Sequence, residues 1–255
     1  MRASLEGSME RLIIFVKRKS SVDRKYWYIK RADIFSDMSP EEMEWLARRS
    51  VMCTFVKGAV IFLPDEPSDH AYLLKEGAIK IARLDENGRE TILELIAPGE
   101  IFGEMSLLGE ESRSTMAQAM EESLICSVRK ADFAEFFKSH SELAFKLLKL
   151  VGFKRIEIES RLEELAYCSV PQRIASLLLR LAHKHGTHEG TDIRIRLRIS
   201  HRDLAFLVGA SRETVTETLN LFKSKNIVKT SFMTIIIRDL KELESIKSGK
   251  ILKFA

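Results

Sequence analysis

Cysteine is scarce and scattered: Cys53, Cys126 and Cys168 are the only three, an odd number too dispersed for a secreted disulfide framework or a four-thiolate cluster. No apolar run approaches the ~20 residues that a bilayer crossing requires. The longest early run, Leu12 to Val16, is too short for a signal-peptide core and has no small-residue cleavage pattern. The expectation is a cytoplasmic protein with no membrane partner. Histidine is sparse too, six in all, and only His70 falls in the β-rich stretch described below. A cupin-like metalloenzyme, which needs several histidines and a carboxylate converging within a barrel, is therefore the remote alternative. No nucleophile–base constellation is visible, so no catalytic residue is assigned and no enzyme is expected. His183, His185 and His188 read as loop residues rather than a metal site, and no metal is expected. With 12 glycines and 5 prolines, 45% hydrophobic and 31% charged residues, the chain is globular and neither collagen-like nor low-complexity. Its 255 residues favour two domains.

What is abundant is charge, unevenly spread. Residues 1–31 hold 9 basic and 3 acidic side chains, residues 32–170 hold 16 and 26, and residues 171–255 hold 16 and 8. The segments are thus +6, −10 and +8. A basic final third joined to an acidic middle is the pattern of a nucleic-acid-binding module attached to a solvated regulatory one.

The first 30 residues have little periodicity, and Lys17-Arg18-Lys19-Ser20-Ser21 reads as a polar loop or frayed basic arm. Ser39-Pro40-Glu41-Glu42 opens a short helix to about Arg49, with a hydroxyl cap, proline in the first turn and carboxylates at the positive end of the dipole. From 52 to 130 short runs rich in Val, Ile, Leu and Phe are cut by turn signals, which predicts an antiparallel sandwich or barrel. Asn87-Gly88 is its clearest hairpin turn. Beyond Lys130 the period is helical. Ala144, Leu148, Val151, Arg155, Ile158, Leu162 and Leu165 form an a/d seam, interrupted only by Arg155 and better satisfied by an identical helix in a homodimer than by an intramolecular sheet. Val170-Pro171 closes or kinks that helix. A further helix is expected from about Gln172 to His183, then a polar surface loop over 185–192.

Two motifs carry chemistry. Ser200 with Asp203, Gly209 and Ser211 punctuate a helix-turn-helix. Its second helix buries Val215, Leu219 and Phe222 and leaves Arg212 and Glu213 free to meet a guanine edge and a cytosine amino group. Arg202, Lys223, Lys225 and Lys229 supply phosphate neutralisation. Ile227–Thr230 and Thr234–Arg238 read as a two-stranded wing whose connector lacks glycine. In the β-rich part, Gly103 at the start of a short helical turn permits close approach to backbone N–H groups. Arg113 adds a fork suited to phosphate, Ser114 a hydroxyl, and Glu104 an acceptor for a sugar hydroxyl.

On Phe102-Gly103-Glu104-Met105-Ser106-Leu107 with Arg113-Ser114, and on Ser211-Arg212-Glu213-Thr214-Val215, residues 32–245 resemble the catabolite activator protein and fumarate–nitrate regulator (Crp/Fnr) superfamily of bacterial transcription regulators. The resemblance implies an α+β chain: a basic extension over 1–31, a jelly-roll-like cyclic-nucleotide-binding β-roll over 32–136, a dimerisation helix over 137–169 and a winged helix-turn-helix over 170–255. It implies a homodimer on a palindromic operator in double-stranded DNA, with cAMP or another cyclic nucleotide as effector, or a family member with a different effector or none. Gly103, Glu104, Met105, Arg113 and Ser114 would hold the phosphate and ribose, and the base-contacting positions match Ile158 and Glu159. Ser200, Arg202, Ser211, Arg212, Glu213, Thr216, Glu217 and Lys223 would face DNA. Glu217 stands where the family's best-known member has a second base-reading arginine. Leu148, Val151, Arg155, Ile158, Leu162 and Leu165 would line the dimer interface, and the loop after residue 183 is the implied contact to RNA polymerase. Neither haem nor an iron–sulphur cluster is expected.

Overall fold

The structure, a computed structural model, describes residues 15–17, 39–86, 90–231 and 233–249. It comprises two compact units, Met1–Val151 and Gly152–Ala255.

In the first unit, helix α1 (Pro40–Arg49) starts as its sequence dictates. Ser39 accepts from the Glu42 amide, and the Glu42 carboxylate accepts from the Ser39 amide, satisfying orphan donors of the first turn reciprocally. Strands β1 (Phe15–Lys17), β2 (Val51–Phe55), β3 (Val60–Phe62), β4 (His70–Glu76), β5 (Ile79–Leu84), β6 (Glu90–Ile96), β7 (Ile101–Phe102), β8 (Met116–Ala119) and β9 (Ser123–Arg129) follow. They form two antiparallel sheets, ordered β1-β2-β9-β4-β7 and β3-β8-β5-β6. Between them lie Phe55, Phe62, Leu74, Ile79, Ile96, Phe102 and Ile125. The other face of the first sheet packs Met52, Leu73, Ile101, Cys126 and Val128 with Met43 and Leu46 of α1 and Phe133 of α2 (Lys130–Ser139). Burial on both faces explains why Ile125 and Cys126 are both enclosed although a strand points them in opposite directions.

Of the basic N-terminal arm, residues 15–17 are described. Phe15–Lys17 pairs with Cys53–Phe55 at the edge of the first sheet, where no strand is expected from the sequence. The rest of the arm and the turn at Asn87-Gly88 lie outside the described residues, although β5 and β6 pair from Leu84↔Glu90 onward, as a turn between them requires.

Helix α3 (Ser141–Tyr167) runs on into the second unit, where α4 (Val170–His185), β10 (Gly186–Glu189), β11 (Asp192–Ile195), α5 (His201–Val208), α6 (Arg212–Ser224), β12 (Val228–Ser231), β13 (Thr234–Ile237) and α7 (Leu240–Lys247) follow. The expected loop over 185–192 is instead a hairpin: Glu189↔Asp192 closes a two-residue turn in which Gly190 takes φ +65°. The alternation Asp192-Ile193-Arg194-Ile195 was the strand signal, and the Glu189 carboxylate, held below its usual pKa by its hydrogen bond from Arg194, ties the two strands. His183 and His185 are accordingly helical, in the last turn of α4, and His188 lies on β10 rather than in a loop. The two-stranded wing forms as expected, with β12 and β13 pairing antiparallel, and the β10–β11 hairpin extends it into a sheet ordered β10-β11-β13-β12. Without glycine in the β12–β13 connector, Met233 itself adopts φ +62°, an uncommon conformation for a residue with a Cβ.

The last turns of α3 are fastened to the rest of this unit. Ser176 and Arg180 of α4 both donate to the Glu164 carboxylate, Arg180 at 2.8 Å. Arg161 donates to the Leu207 carbonyl at 3.3 Å, and Arg173 to the carbonyls of Leu165 and Gly209 at 3.4 Å each.

Candidate functional site

The first candidate site is built around Gly103. The residue takes φ +67° at the start of a 3-10 turn, Glu104–Leu108, and a Cβ there would sit 3.0 Å from both Arg113 Nη1 and the Tyr72 ring. Arg113 is enclosed, with its side chain 2% exposed. Its Nη1 donates to the Gly103 carbonyl at 3.1 Å and its Nη2 to the His70 carbonyl. The guanidinium also lies 4.4 Å from the Phe62 ring centroid. Its Nε is buried with no hydrogen-bond partner among the described residues, so an enclosed cation keeps donor capacity for an anion. Ser106, fully buried, donates toward the Gly103 and His70 carbonyls and pins the turn to β4.

Gly103, Glu104, Arg113 and Ser114 therefore share one corner of the β-roll. Glu104 is buried and Met105 exposed. Ser114 is exposed, and both its amide and its hydroxyl donate to Glu110. Ile158 and Glu159 lie on α3 in the second unit, both exposed, with Glu159 accepting from Arg155 at 2.8 Å. Sequence reasoning missed His70, Tyr72 and Phe62 of this corner, because a backbone carbonyl and the faces of two rings leave no motif. A cavity of about 230 Å³ opens beside them, lined by Cys53, Phe55, Ile61, His70, Tyr72 and Ser127 among others. Burial, helped by the nearby Arg113 charge, lowers the His70 pKa, which Asp69 partly offsets, and burial raises that of Tyr72. Both shifts favour the neutral side chain.

The second candidate site is the pair α5 and α6. Ser200 and Asp203 form the reciprocal cap of α5, Gly209 turns the chain at φ +60°, and Ser211 accepts from the Thr214 amide at 3.1 Å to start α6. Val215, Leu219 and Phe222 are buried, while Arg212, Glu213, Glu217 and Lys223 are exposed. Arg202 lies over the Phe206 ring. Thr216 is half-buried and spends its only hydroxyl hydrogen on the Arg212 carbonyl at 2.8 Å. His201 Nδ1, 2.8 Å from the Thr216 hydroxyl oxygen, must then be the donor to it. Burial first, and the Arg212 charge second, lower the His201 pKa. This cross-brace between the two helices was not anticipated from the sequence.

Along α3, Leu148, Ile158, Leu162 and Leu165 are each about half exposed or more in the single chain, and so are Phe145, Phe153 and Ile156, which the seven-residue seam omits. Arg155 is exposed and Val151 half-buried. An unpaired apolar stripe of this length marks an interaction surface.

Comparison with known proteins matches the two stretches that contain these sites. Residues 52–140 match the family model of the cyclic nucleotide-binding domain, and residues 172–246 match that of the Crp-like helix-turn-helix domain. The chain is 31% identical to the transcriptional regulator SdrP of Thermus thermophilus over 77% of its own length and 94% of that protein. It belongs to the Crp/Fnr superfamily. Another Crp/Fnr relative, the CRP-like cAMP-activated global transcriptional regulator of Mycobacterium tuberculosis, is 29% identical over 84% of the chain and 96% of the relative. The solved structure of FixK2 from Bradyrhizobium japonicum, at 21% identity, shares the fold alone, with a TM-score of 0.71 over 79% of this chain and 99% of that one. These Crp/Fnr relatives are transcription regulators, not enzymes. The first model spans the Gly103–Ser114 corner and the second spans α5 and α6, so this is a Crp-type transcription regulator with a cyclic nucleotide-binding domain and a DNA-binding helix-turn-helix. Among the described residues no helix is long and apolar enough to cross a membrane, and no group of three metal-binding side chains converges.

Proposed function

We infer that this Crp/Fnr protein acts as a homodimer that binds a palindromic DNA operator under the control of a cyclic nucleotide, cAMP first among candidates. The observation that carries the effector reading is the buried guanidinium of Arg113, held against the Gly103 turn with Nε still unpartnered among the described residues. An enclosed cation beside a glycine-opened main chain suits a phosphodiester with a single negative charge. The exposed stripe of α3 supports pairing with the same helix of a second copy, which is two-fold self-complementary. Two copies would present two α6 helices to successive major grooves about 34 Å apart. The effector acts by binding one arrangement of the pair more tightly than the other, and only that difference in affinity moves the balance.

In this reading residues 1–31 are an appended arm, 32–136 the effector module, 137–169 the pairing helix and 170–255 the DNA-reading module. The β10–β11 hairpin is offered as the contact to RNA polymerase. Ile158 favours a second reading, a Crp/Fnr regulator answering to another small anion, because it places an apolar side chain where the family resemblance implies a hydroxyl contact to the base.

The test is to titrate cAMP and cGMP into the purified protein while following retardation of duplexes selected from its genome, with sedimentation in parallel. A dimer whose DNA affinity rises with cAMP is expected. A monomer at working concentration, or a protein that retards no duplex with any cyclic nucleotide, defeats the reading. Within the DNA module, Arg212→Ala is expected to remove about 1–3 kcal/mol of operator discrimination while leaving α6 folded. Its measure is competition between operator and scrambled duplex, and unchanged preference would exclude base reading by Arg212.

A further inference from the structure

The donors of the anion corner are not idle. The carboxylate of Glu110 sits on them: its Oε1 accepts from the Ser114 amide at 3.2 Å and the Ser114 hydroxyl at 2.9 Å. Its Oε2 accepts from the Ser68 hydroxyl at 2.9 Å and lies 3.8 Å from Arg113 Nη1. The Glu110 side chain is only 17% exposed. Its segment is held in place by backbone pairing: Ser68 donates to the Glu111 carbonyl, Arg113 to that of Glu66, and Asp65 to that of Arg113.

A carboxylate and a phosphodiester both spread one negative charge over two oxygens, and both draw on the same donors: a guanidinium, a hydroxyl and a backbone amide. The cluster around Glu110 has that make-up. We propose that Glu110 is a resident pseudo-ligand, which occupies the phosphate-binding donors of the free protein and must be displaced by the effector's phosphodiester. The inference rests on the effector reading above and adds what sets the threshold of response. Bound nucleotide replaces Glu110 on Ser114 and Arg113. The freed carboxylate then turns to water by rotation of its side chain, and the backbone pairing of its segment stays in place. A neutral ligand cannot replace the charge that Arg113 loses, so the corner selects for anions. A low basal occupancy follows, because every binding event includes the loss of three Glu110 hydrogen bonds.

The experiment is calorimetric titration of cAMP into the full chain, as wild type, Glu110→Gln and Glu110→Ala. Removing the competitor is expected to tighten binding by about tenfold or more in the alanine variant, with the neutral isostere in between. A cAMP affinity in Glu110→Ala that stays within about twofold of wild type, or weakens, overturns the pseudo-ligand while leaving the effector reading intact. Absence of cAMP and cGMP binding in all three proteins removes the effector reading and the inference together. A ligand-free readout guards against a variant that folds poorly. Exchange of the Ser114 amide, measured by NMR, is expected to quicken in Glu110→Ala while β4 and β9 amides keep their protection. Equal Ser114 exchange in the two proteins overturns the proposal.

Discussion

Arg113→Ala is expected to abolish cAMP binding and at the same time to lower the melting temperature without unfolding the protein at room temperature. The first effect follows from removing the one buried cation of the corner. The second follows from its hydrogen bonds to Gly103 and His70, because a bond from a charged donor contributes roughly 1.5–3 kcal/mol and the single Ser106 hydroxyl would be left to serve both carbonyls. The sequence alone presents Arg113 as a ligand-binding fork. The structure gives it a structural duty as well, closing the Gly103 turn onto β4. Calorimetry with cAMP at a temperature where near-ultraviolet circular dichroism matches wild type separates the two effects. Full cAMP affinity in such folded protein would remove Arg113 from the site.

The second large effect lies away from both sites. Lys75→Met is expected to raise stability at pH 7 by roughly 3 kcal/mol. Lys75 is 7% exposed and lies where the β4–β9 register slips between Leu74 and Glu76. Burial pushes its ammonium down from the ordinary 10.5 to about 8, with Cys126 offsetting part of the shift. The sign follows from proton counting. Between pH 8 and 10.5 the unfolded chain keeps a proton that the folded chain has released, so wild-type stability should climb with pH across that window. Below about 8 the penalty is present in full, and above 10.5 it is gone. Subtracting Lys75→Met from wild type in urea melts from pH 7 to 11 isolates this term from Tyr72 and other groups. A flat difference across the window would show that the lysine reaches water.

Much of this architecture was legible because local signals agreed with one another. Caps at Ser39, Ser200 and Ser211, turns at Gly103 and Gly209, and the buried triplet Val215, Leu219 and Phe222 all lie where the sequence puts them. Gly103, Ser211 and Val215 among them also lie in the strings that carried the resemblance to the Crp/Fnr superfamily. What escaped was set by tertiary pairing. The β10–β11 hairpin was masked by the polar composition of 185–192, which suits a loop until Ile193 and Ile195 find Ile237 and Ile235 across the sheet. Phe15–Lys17 is too short to announce itself and becomes a strand by hydrogen bonding to β2. Lys75 reads as a surface residue, yet the register slip in β4 puts it among Leu73 and Leu74 in an unbroken buried run. Glu110 and His201 act through partners that are distant in sequence or contributed by another helix, and spacing alone carries no record of such contacts.

The brace among Arg161, Arg173, Leu207 and Gly209 has a mechanical meaning. The turn between α5 and α6 is stitched to the C-terminal end of α3, and a Cβ on Gly209 would come within 2.8 Å of Leu165. Helix α6, the proposed DNA-reading element, is thus mounted like a blade on the end of a shaft. Further back on α3, Gly152 has open space where a Cβ would be, and glycine weakens a helix interior by about 1 kcal/mol relative to alanine.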